Sequence, residues 1–505
     1  MTQRVRPPKF IMRGRLSGWI LFVGLTCLWV TGIHAGQPKQ PNIVLFVADD
    51  QFWMDSGAYG NPDLPTPHID ALASQGMRLT HAFTGTAMCA PSRQQLYTGL
   101  YPVRSGAFPN HGQVTEGTRS LVHAFRDLGY RVGLVGKEHF GPETSFPFER
   151  PRSQPEPGQK RRVGADLEAA KQFISRDPDQ PFFLVVASNS PHTPWTEGDR
   201  SLFEEDSIEV PEYLVDTPAT RRALVEYYAE ITHLDQQLGE IMAALKSSGQ
   251  EDQTLVIYTS EQGPSLPFAK WTLYDAGIRT AMIVRWPEQI AKGSTSDAMI
   301  HYVDMAPTLI EAAGGRMEET DGRSFLPVLL GPAQDHRDYV FGIQTTRGII
   351  YGSDYPIRSV RSRRYKLILN LAAENGFQNL ISQAPHDTLL SSWQSVDAKR
   401  AQAYLHRPAL EFYDLETDPW EKKNLADNPE FADQIATHRT QLQNWMEANG
   451  DQGLETEMEA LEHMNPKIVE RIRIRFGDHA LPDRSDRIQG STASDSKSGA
   501  RLTPE

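Results

Sequence analysis

The run Asn42–Ala48 is apolar and β-branched with no polar alternation, which predicts a strand buried on both faces. It ends in Asp49-Asp50. Three similar runs follow. Arg131–Val135 comes after a helical stretch at Ser120–Leu128, Phe182–Ala187 leads to Pro191-His192, and Thr254–Thr259 leads to Ser260-Glu261-Gln262-Gly263. Ala281–Val284 predicts a fifth strand. Thr217–Ser247 sets Leu224, Tyr228, Ile231, Leu238, Met242 and Leu245 at helical spacing, predicting one long amphipathic helix. Strands alternating with helices imply an α/β domain with a mostly parallel sheet. Open sheets of that kind receive ligands just beyond the C-terminal ends of their strands. The polar residues after each run are therefore the first candidates for chemistry.

From about residue 335 the pattern changes. Tyr339–Ile343, Arg358–Arg361, Tyr365–Asn370 and Glu411–Asp414 predict a smaller, antiparallel sheet, with a helix over Pro429–Asn449. We read 36–334 as an N-terminal domain, 335–482 as a C-terminal α+β subdomain and 483–505, rich in Ser, Asp, Arg and Gly, as a disordered tail. At the other end, Arg4, Arg6, Lys9, Arg13 and Arg15 precede an apolar run from Trp19 to Val30 and a small residue, Ala35. This order is that of a signal peptide over 1–35, and the apolar run is short for a membrane span. The expected protein is exported, periplasmic or extracellular, and meets a membrane only during export. Cleavage removes five basic residues and no acidic one, taking the net charge from −13 to −18. A chain this acidic is a poor general binder of nucleic acid.

The sequence holds two cysteines, Cys27 inside the apolar leader and Cys89. A lone mature cysteine excludes an internal disulfide and a multi-cysteine metal site. It is compatible with a small buried hydrophobe. Its surroundings, Cys89-Ala90-Pro91-Ser92-Arg93-Gln94-Gln95-Leu96-Tyr97-Thr98-Gly99, suggest more. Pro91 suits the first turn of a helix, which would put Cys89 at the helix's positive end.

Cys-x-Pro-Ser-Arg followed by Thr-Gly resembles the signature of the sulfatases, with Tyr97 where that family usually has a leucine. The resemblance implies an alkaline-phosphatase-like α/β fold with a mixed, mostly parallel sheet between helices. It also implies oxidation of Cys89 to formylglycine by a formylglycine-generating enzyme. Further matches follow in order. Asp49-Asp50 with Glu261-Gln262 corresponds to the family's metal ligands, the latter pair standing where Asp-Asn or Asp-His is usual. An all-oxygen set suits one Ca²⁺, with Mg²⁺ the alternative; residue 89 would complete it. Lys137 and His139 lie in Gly-Lys-x-His, His192 in Pro-His-x-Pro, and Lys270 matches a sulfate-binding lysine. Taken singly, Asp49-Asp50 also reads as a turn and Lys137-Glu138-His139 as a solvated loop.

The implied chemistry is sulfate release from a sulfated carbohydrate. A hydrated aldehyde attacks sulfur, with Arg93, Lys137, Lys270 and the metal offsetting negative charge. His192 protonates the leaving group and His139 takes the proton that expels sulfate. Gly136–Phe148 and Tyr355–Arg361 locally resemble the heparan N-sulfatase (sulfamidase) branch, making N-sulfoglucosamine the alternative substrate. The rivals are a phosphatase or phosphodiesterase, which would not need Cys89, and a glycan-binding homologue without turnover. Arg358, Arg361, Arg363, Arg364 and Lys366 read either as flanking a pocket or as a solvated strand face, and Trp195 and Trp271 as sugar platforms or as core.

Overall fold

The uninterrupted apolar runs become the centre of a seven-stranded sheet. In a computed structural model that describes residues 40–153, 164–331, 333–383 and 387–481, its strands are β1 (Asn42–Ala48), β2 (Met77–Phe83), β3 (Arg131–Gly136), β4 (Phe182–Ala187), β5 (Thr254–Ser260), β6 (Arg279–Arg285) and β7 (Ser294–His301). The expected signal peptide with Cys27, and the expected tail from 483, lie outside the described residues. Strand order is β3-β4-β1-β5-β6-β2-β7. All neighbours are parallel except the two pairings of β6, which runs against β5 and β2. The sheet is mixed and mostly parallel, as expected.

Alternate residues of β1 enter different layers. Ile43, Leu45 and Val47 join a core that includes Leu121, Val122, Phe125 and Leu309, from the helices Leu121–Asp127 and Met305–Ala312. Val44, Phe46 and Ala48 join one that includes Phe173, Leu234 and Leu238, from the helices Leu167–Ser175 and Pro218–Ser247. Burying each large side chain of this kind is worth about 1.5–3 kcal/mol. The rigid middle of the molecule is therefore where β4, β1 and β5 meet. Their registers pair Val47 with both Ala187 and Thr259, and Gly136 of β3 with Ala187. Four parallel strands thus end level, and their C-terminal exits share one edge.

Two strands were not expected. β2 carries Arg78, Thr80 and His81 among its apolar residues, and β7 begins with the half-exposed Ser294–Asp297 at the sheet margin. The expected Ala281–Val284 strand is the core of the longer β6.

The second sheet holds β8 (Val340–Gln344), β9 (Ile357–Arg361), β10 (Tyr365–Asn370) and β11 (Leu410–Asp414), antiparallel in the order β11-β10-β9-β8. One face meets Leu442 and Trp445 of the helix Ala432–Ala448, which starts three residues later than expected because Pro429–Phe431 forms a 3₁₀ turn. The other face carries charge toward the first sheet. Asp275, just before β6, takes Arg361 at 3.1 Å and Lys366 at 2.6 Å. Arg358, Arg361 and Lys366 are buried in ion pairs, a placement neither reading of the basic cluster anticipated. Arg361, Arg363 and Arg364 also line a cavity of about 360 Å³ with His81 and Arg279.

Candidate active site

Each strand exit is tied to its neighbour before the side chains diverge. The Glu261 N–H donates to Ala48 O at 3.1 Å, Asp49 N–H to Ser190 O at 3.1 Å, and Lys137 N–H to Ala187 O at 2.9 Å. These bonds fix Asp49 and Asp50 from β1, Glu261 and Gln262 from β5, Lys137 from β3 and His192 from the loop after β4. The carboxylates of Asp49 and Asp50 are fully buried.

Cys89 opens the helix Cys89–Thr98, all ten residues of which are buried. Pro91 is the third residue, where the missing N–H has no intrahelical partner to lose. Met88 precedes the helix in extended conformation without a side-chain cap, so the helix's N-terminal N–H groups are left facing the region of Cys89. Arg93 lies one turn on, on the same face. It forms an ion pair with Glu261 and comes within 3.8 Å of Asp49. Ser92 Oγ donates to Glu261 O at 2.7 Å, tying the helix to the end of β5.

Ligand atoms of Asp49, Asp50, Cys89 and Glu261 all lie within 4.8 Å of one another. Gln262 Nε2 stands 2.7 Å from Asp50 Oδ1, 3.3 Å from Glu261 Oε1 and 3.3 Å from Cys89 Sγ, while its Oε1 is buried without a partner. A carboxamide among acceptors can turn to present its oxygen to a cation. Burial first, and then Asp49, push the Glu261 carboxyl well above its usual range despite Arg93. Burial also opposes charge on Asp49, but Lys137 holds its carboxyl well below the usual range. Three buried carboxylates and an orphaned amide oxygen are hard donors that fit a divalent cation, so the longer Glu261-Gln262 pair stands where metal ligands were expected.

The cations sit around this cluster. Lys137 Nζ donates to Asp49 Oδ2 at 2.5 Å, and Lys270 Nζ to Asp50 Oδ2 at 2.6 Å. Burial resists the charge on both lysines, and their carboxylate partners raise both pKa values above the ordinary lysine range. Burial likewise resists a Cys89 thiolate, but Lys137 and Lys270 outweigh it and hold the thiol well below its usual range. Lys270 and burial press His192 down, yet Asp50, 3.7 Å away, and Cys89 leave its pKa raised. Burial leaves His139 lowered despite its interaction with Cys89. The two histidines are therefore pushed in opposite directions.

The ten residues singled out as catalytic or metal-binding converge here, whereas the basic cluster of β9 and β10 does not. The tryptophans serve packing: Trp195 Nε1 donates to Pro191 O at 2.7 Å, and Trp271 is buried with Lys270 Nζ 5.0 Å from its ring. Sequence reasoning missed three residues. Ser265 donates to Asp50 Oδ2 at 2.8 Å, His111 Nδ1 lies 2.7 Å from His139 Nε2, and Gln94 binds the loops behind the histidines. Only Gln94 lay inside a recognised motif, at one of its variable positions.

Residues 41–315 match the family described as Sulfatase, and residues 265–383 match the C-terminal region of N-sulphoglucosamine sulphohydrolase. An ulvan-active sulfatase of Formosa agariphila is 34% identical over 424 residues, covering 82% of this chain and 81% of the relative. The N-sulphoglucosamine sulphohydrolase of Homo sapiens is 31% identical over 471 residues, covering 83% and 92%. In fold, the chain is similar to a protein solved with its substrate D-glucosamine-2-N,6-O-disulfate, at a TM-score of 0.65, 19% identity and coverage of 82% and 99%. With the sheet-edge constellation, these relationships establish that the chain belongs to the sulfatase family and is a hydrolase of sulfate esters or sulfamates.

Proposed function

We propose that this chain is an exported, formylglycine-dependent sulfatase that removes sulfate from a sulfated carbohydrate. Residue 89 is the formylglycine, made from Cys89 by a formylglycine-generating enzyme during maturation. A divalent cation, Ca²⁺ by its hard oxygen donors, is held by Asp49, Asp50, Glu261 and Gln262 beside it. One observation carries this reading: Cys89 opens a buried helix within reach of three buried carboxylates, two of which take Lys137 and Lys270.

Charge decides the class of substrate. With Glu261 ionised, as a bound cation would favour, Arg93, Lys137 and Lys270 balance Asp49, Asp50 and Glu261. A bound divalent cation would leave the site with excess positive charge, which a sulfate ester or sulfamate neutralises. When present, the aldehyde hydrate supplies two hydroxyls on one carbon, one to attack sulfur and one to release sulfate, and the cation offsets negative charge at the reacting oxygens. The chain's own residues do the rest. Lys137 and Lys270 hold the sulfate oxygens, and Arg93 holds Glu261 and the residue-89 side chain in line. His192, raised and partly open to solvent, carries the proton for the leaving group. His139, lowered, is free to accept one from residue 89.

The test is free sulfate released from paired N-sulfated and O-sulfated glucosamine saccharides by protein whose Cys89 conversion is verified by peptide mass. Release from either, abolished in Cys89→Ala, is expected. Phosphate-ester hydrolysis that survives Cys89→Ala, with no sulfate released, would sink the proposal. A second reading, N-sulfoglucosamine as the substrate, is favoured by the match of residues 265–383 and would show as release from the N-sulfate alone.

A further inference from the structure

The loop 109–113 brings a third histidine to the site, beside His139. His111 and His139 stand with ring centroids 4.7 Å apart and Nδ1 of the first 2.7 Å from Nε2 of the second. Both have left-handed backbones, at φ 64 and φ 50, a conformation few side-chain-bearing residues adopt. Their loops are held to the cysteine's own helix by one side chain. Gln94 Nε2 donates to Ala90 O at 3.1 Å and to Gly112 O at 2.9 Å, while its Oε1 accepts from Val114 N at 3.1 Å and Gly141 N at 3.3 Å. Gln94 is fully buried and spends its whole hydrogen-bonding capacity on this clamp.

A 2.7 Å bond between two neutral imidazoles holds a single proton. If His111 donated it, His139 would carry its own proton on Nδ1 and could not act as a base there. If His139 donates, its Nδ1 is bare, and that atom is buried with no other partner. His111 then carries its proton on Nε2; Asn110 Nδ2 is placed 3.3 Å from that atom, and turning the carboxamide over brings its Oδ1, buried and unpartnered as placed, round to accept that proton. Burial and His139 push His111 down to about 3, so it stays a neutral acceptor.

We infer that His111 is a positioning residue: it accepts the Nε2–H of His139 and so fixes the tautomer whose bare Nδ1 takes a proton from residue 89. This rests on the sulfatase reading above, but the tautomer can be read without turnover. Asparagine keeps an acceptor near the place of Nδ1 and alanine does not, so the test compares His111→Asn with His111→Ala. In the alanine variant kcat should fall about tenfold to a hundredfold with KM within about twofold, the range for losing the group that orients a site histidine. His111→Asn should recover most of that loss. An asparagine variant as slow as alanine, or a change confined to KM, would overturn the assignment. Nitrogen NMR of ¹⁵N-histidine-labelled resting protein supplies the independent arm. His139 should carry its proton on Nε2 in the wild type and lose that preference in His111→Ala. A wild-type proton on Nδ1 overturns the inference whether or not sulfate is released, and inactivity on sulfated substrates with the expected tautomer would fault the functional reading instead.

Discussion

At the scale of single residues, Gln262 is the most exposed to test. Its uncharged carboxamide sits among three buried carboxylates, yet its buried oxygen has no partner among the described residues. A cation would supply one. Gln262→Met keeps the volume, leaves the ion pairs of Arg93, Lys137 and Lys270 in place and removes the donor. Losing one buried polar partner costs about 1–3 kcal/mol, which is about fivefold to 150-fold in cation affinity. The Ca²⁺ concentration at which the apparent Tm rises should move up by that factor, measured from each variant's own Tm in chelator, which also registers the lost Nε2 bond to Asp50. An unchanged midpoint would remove Gln262 from the ligand set. The residues recognisable beforehand, Cys89, Arg93, Lys137, His139, His192 and Lys270, stand in short local patterns. His111 and Ser265 were invisible because loops far apart in the chain deliver them, and nothing in their neighbours marks them.

Elements decide how precisely those residues meet, and Gly136 shows the tolerance. It ends β3 at φ 97, and a Cβ there would lie 1.9 Å from Ala187 O, the acceptor of Lys137 N–H. Backbone cannot retreat as a flexible side chain can. Gly136→Ala should therefore push β3 from β4, lowering the apparent Tm by several degrees, while Lys137→Ala, which only trims the side chain, should keep the fold and lose sulfate release. Equal melting of the two variants would show that the close approach is not maintained. The same level explains what the chain disclosed about its fold. β1, β4 and β5 are buried on both faces, so their apolar runs are unbroken and legible. β2 and β7 mix polar with apolar residues because part of each faces solvent, and they look like loop until the sheet is assembled. The buried charges of β9 and β10 were legible as a cluster but not as ion pairs, since Asp275 comes from the short helix Asp275–Ile278, some ninety positions earlier.

Across the whole molecule, buried carboxylates pull stability in opposite directions with pH. Burial resists the charge of Asp275 and Asp304, but Arg361 with Lys366, and Arg337 with His336, hold them well below the usual range. A depressed carboxyl contributes stability above its unfolded value and loses it as pH falls, so these two protect the fold down to acidic pH. Asp55 and Glu457 do the reverse, burial raising each to about 7. A carboxyl raised in the folded state favours folding fully below its unfolded value, near 4, and loses that advantage as pH rises to 7. Glu457 is the cleaner case. Its Oε1 accepts from the backbone N–H of Thr346 at 2.8 Å and of Arg347 at 2.6 Å, while its Oε2 is buried without a hydrogen-bond partner. Ionising it in place, from 4.5 unfolded to about 7 folded, costs about 3 kcal/mol. Glu457→Gln keeps the acceptor and removes the charge. It should raise the apparent Tm by several degrees at pH 8, where the wild type bears the full cost, and by about one degree or less near pH 4.5, where the carboxyl is already protonated. Melting both proteins at the two pH values decides it. A stabilisation that does not grow with pH would mean that Glu457 is charged in the fold at a cost its surroundings already offset.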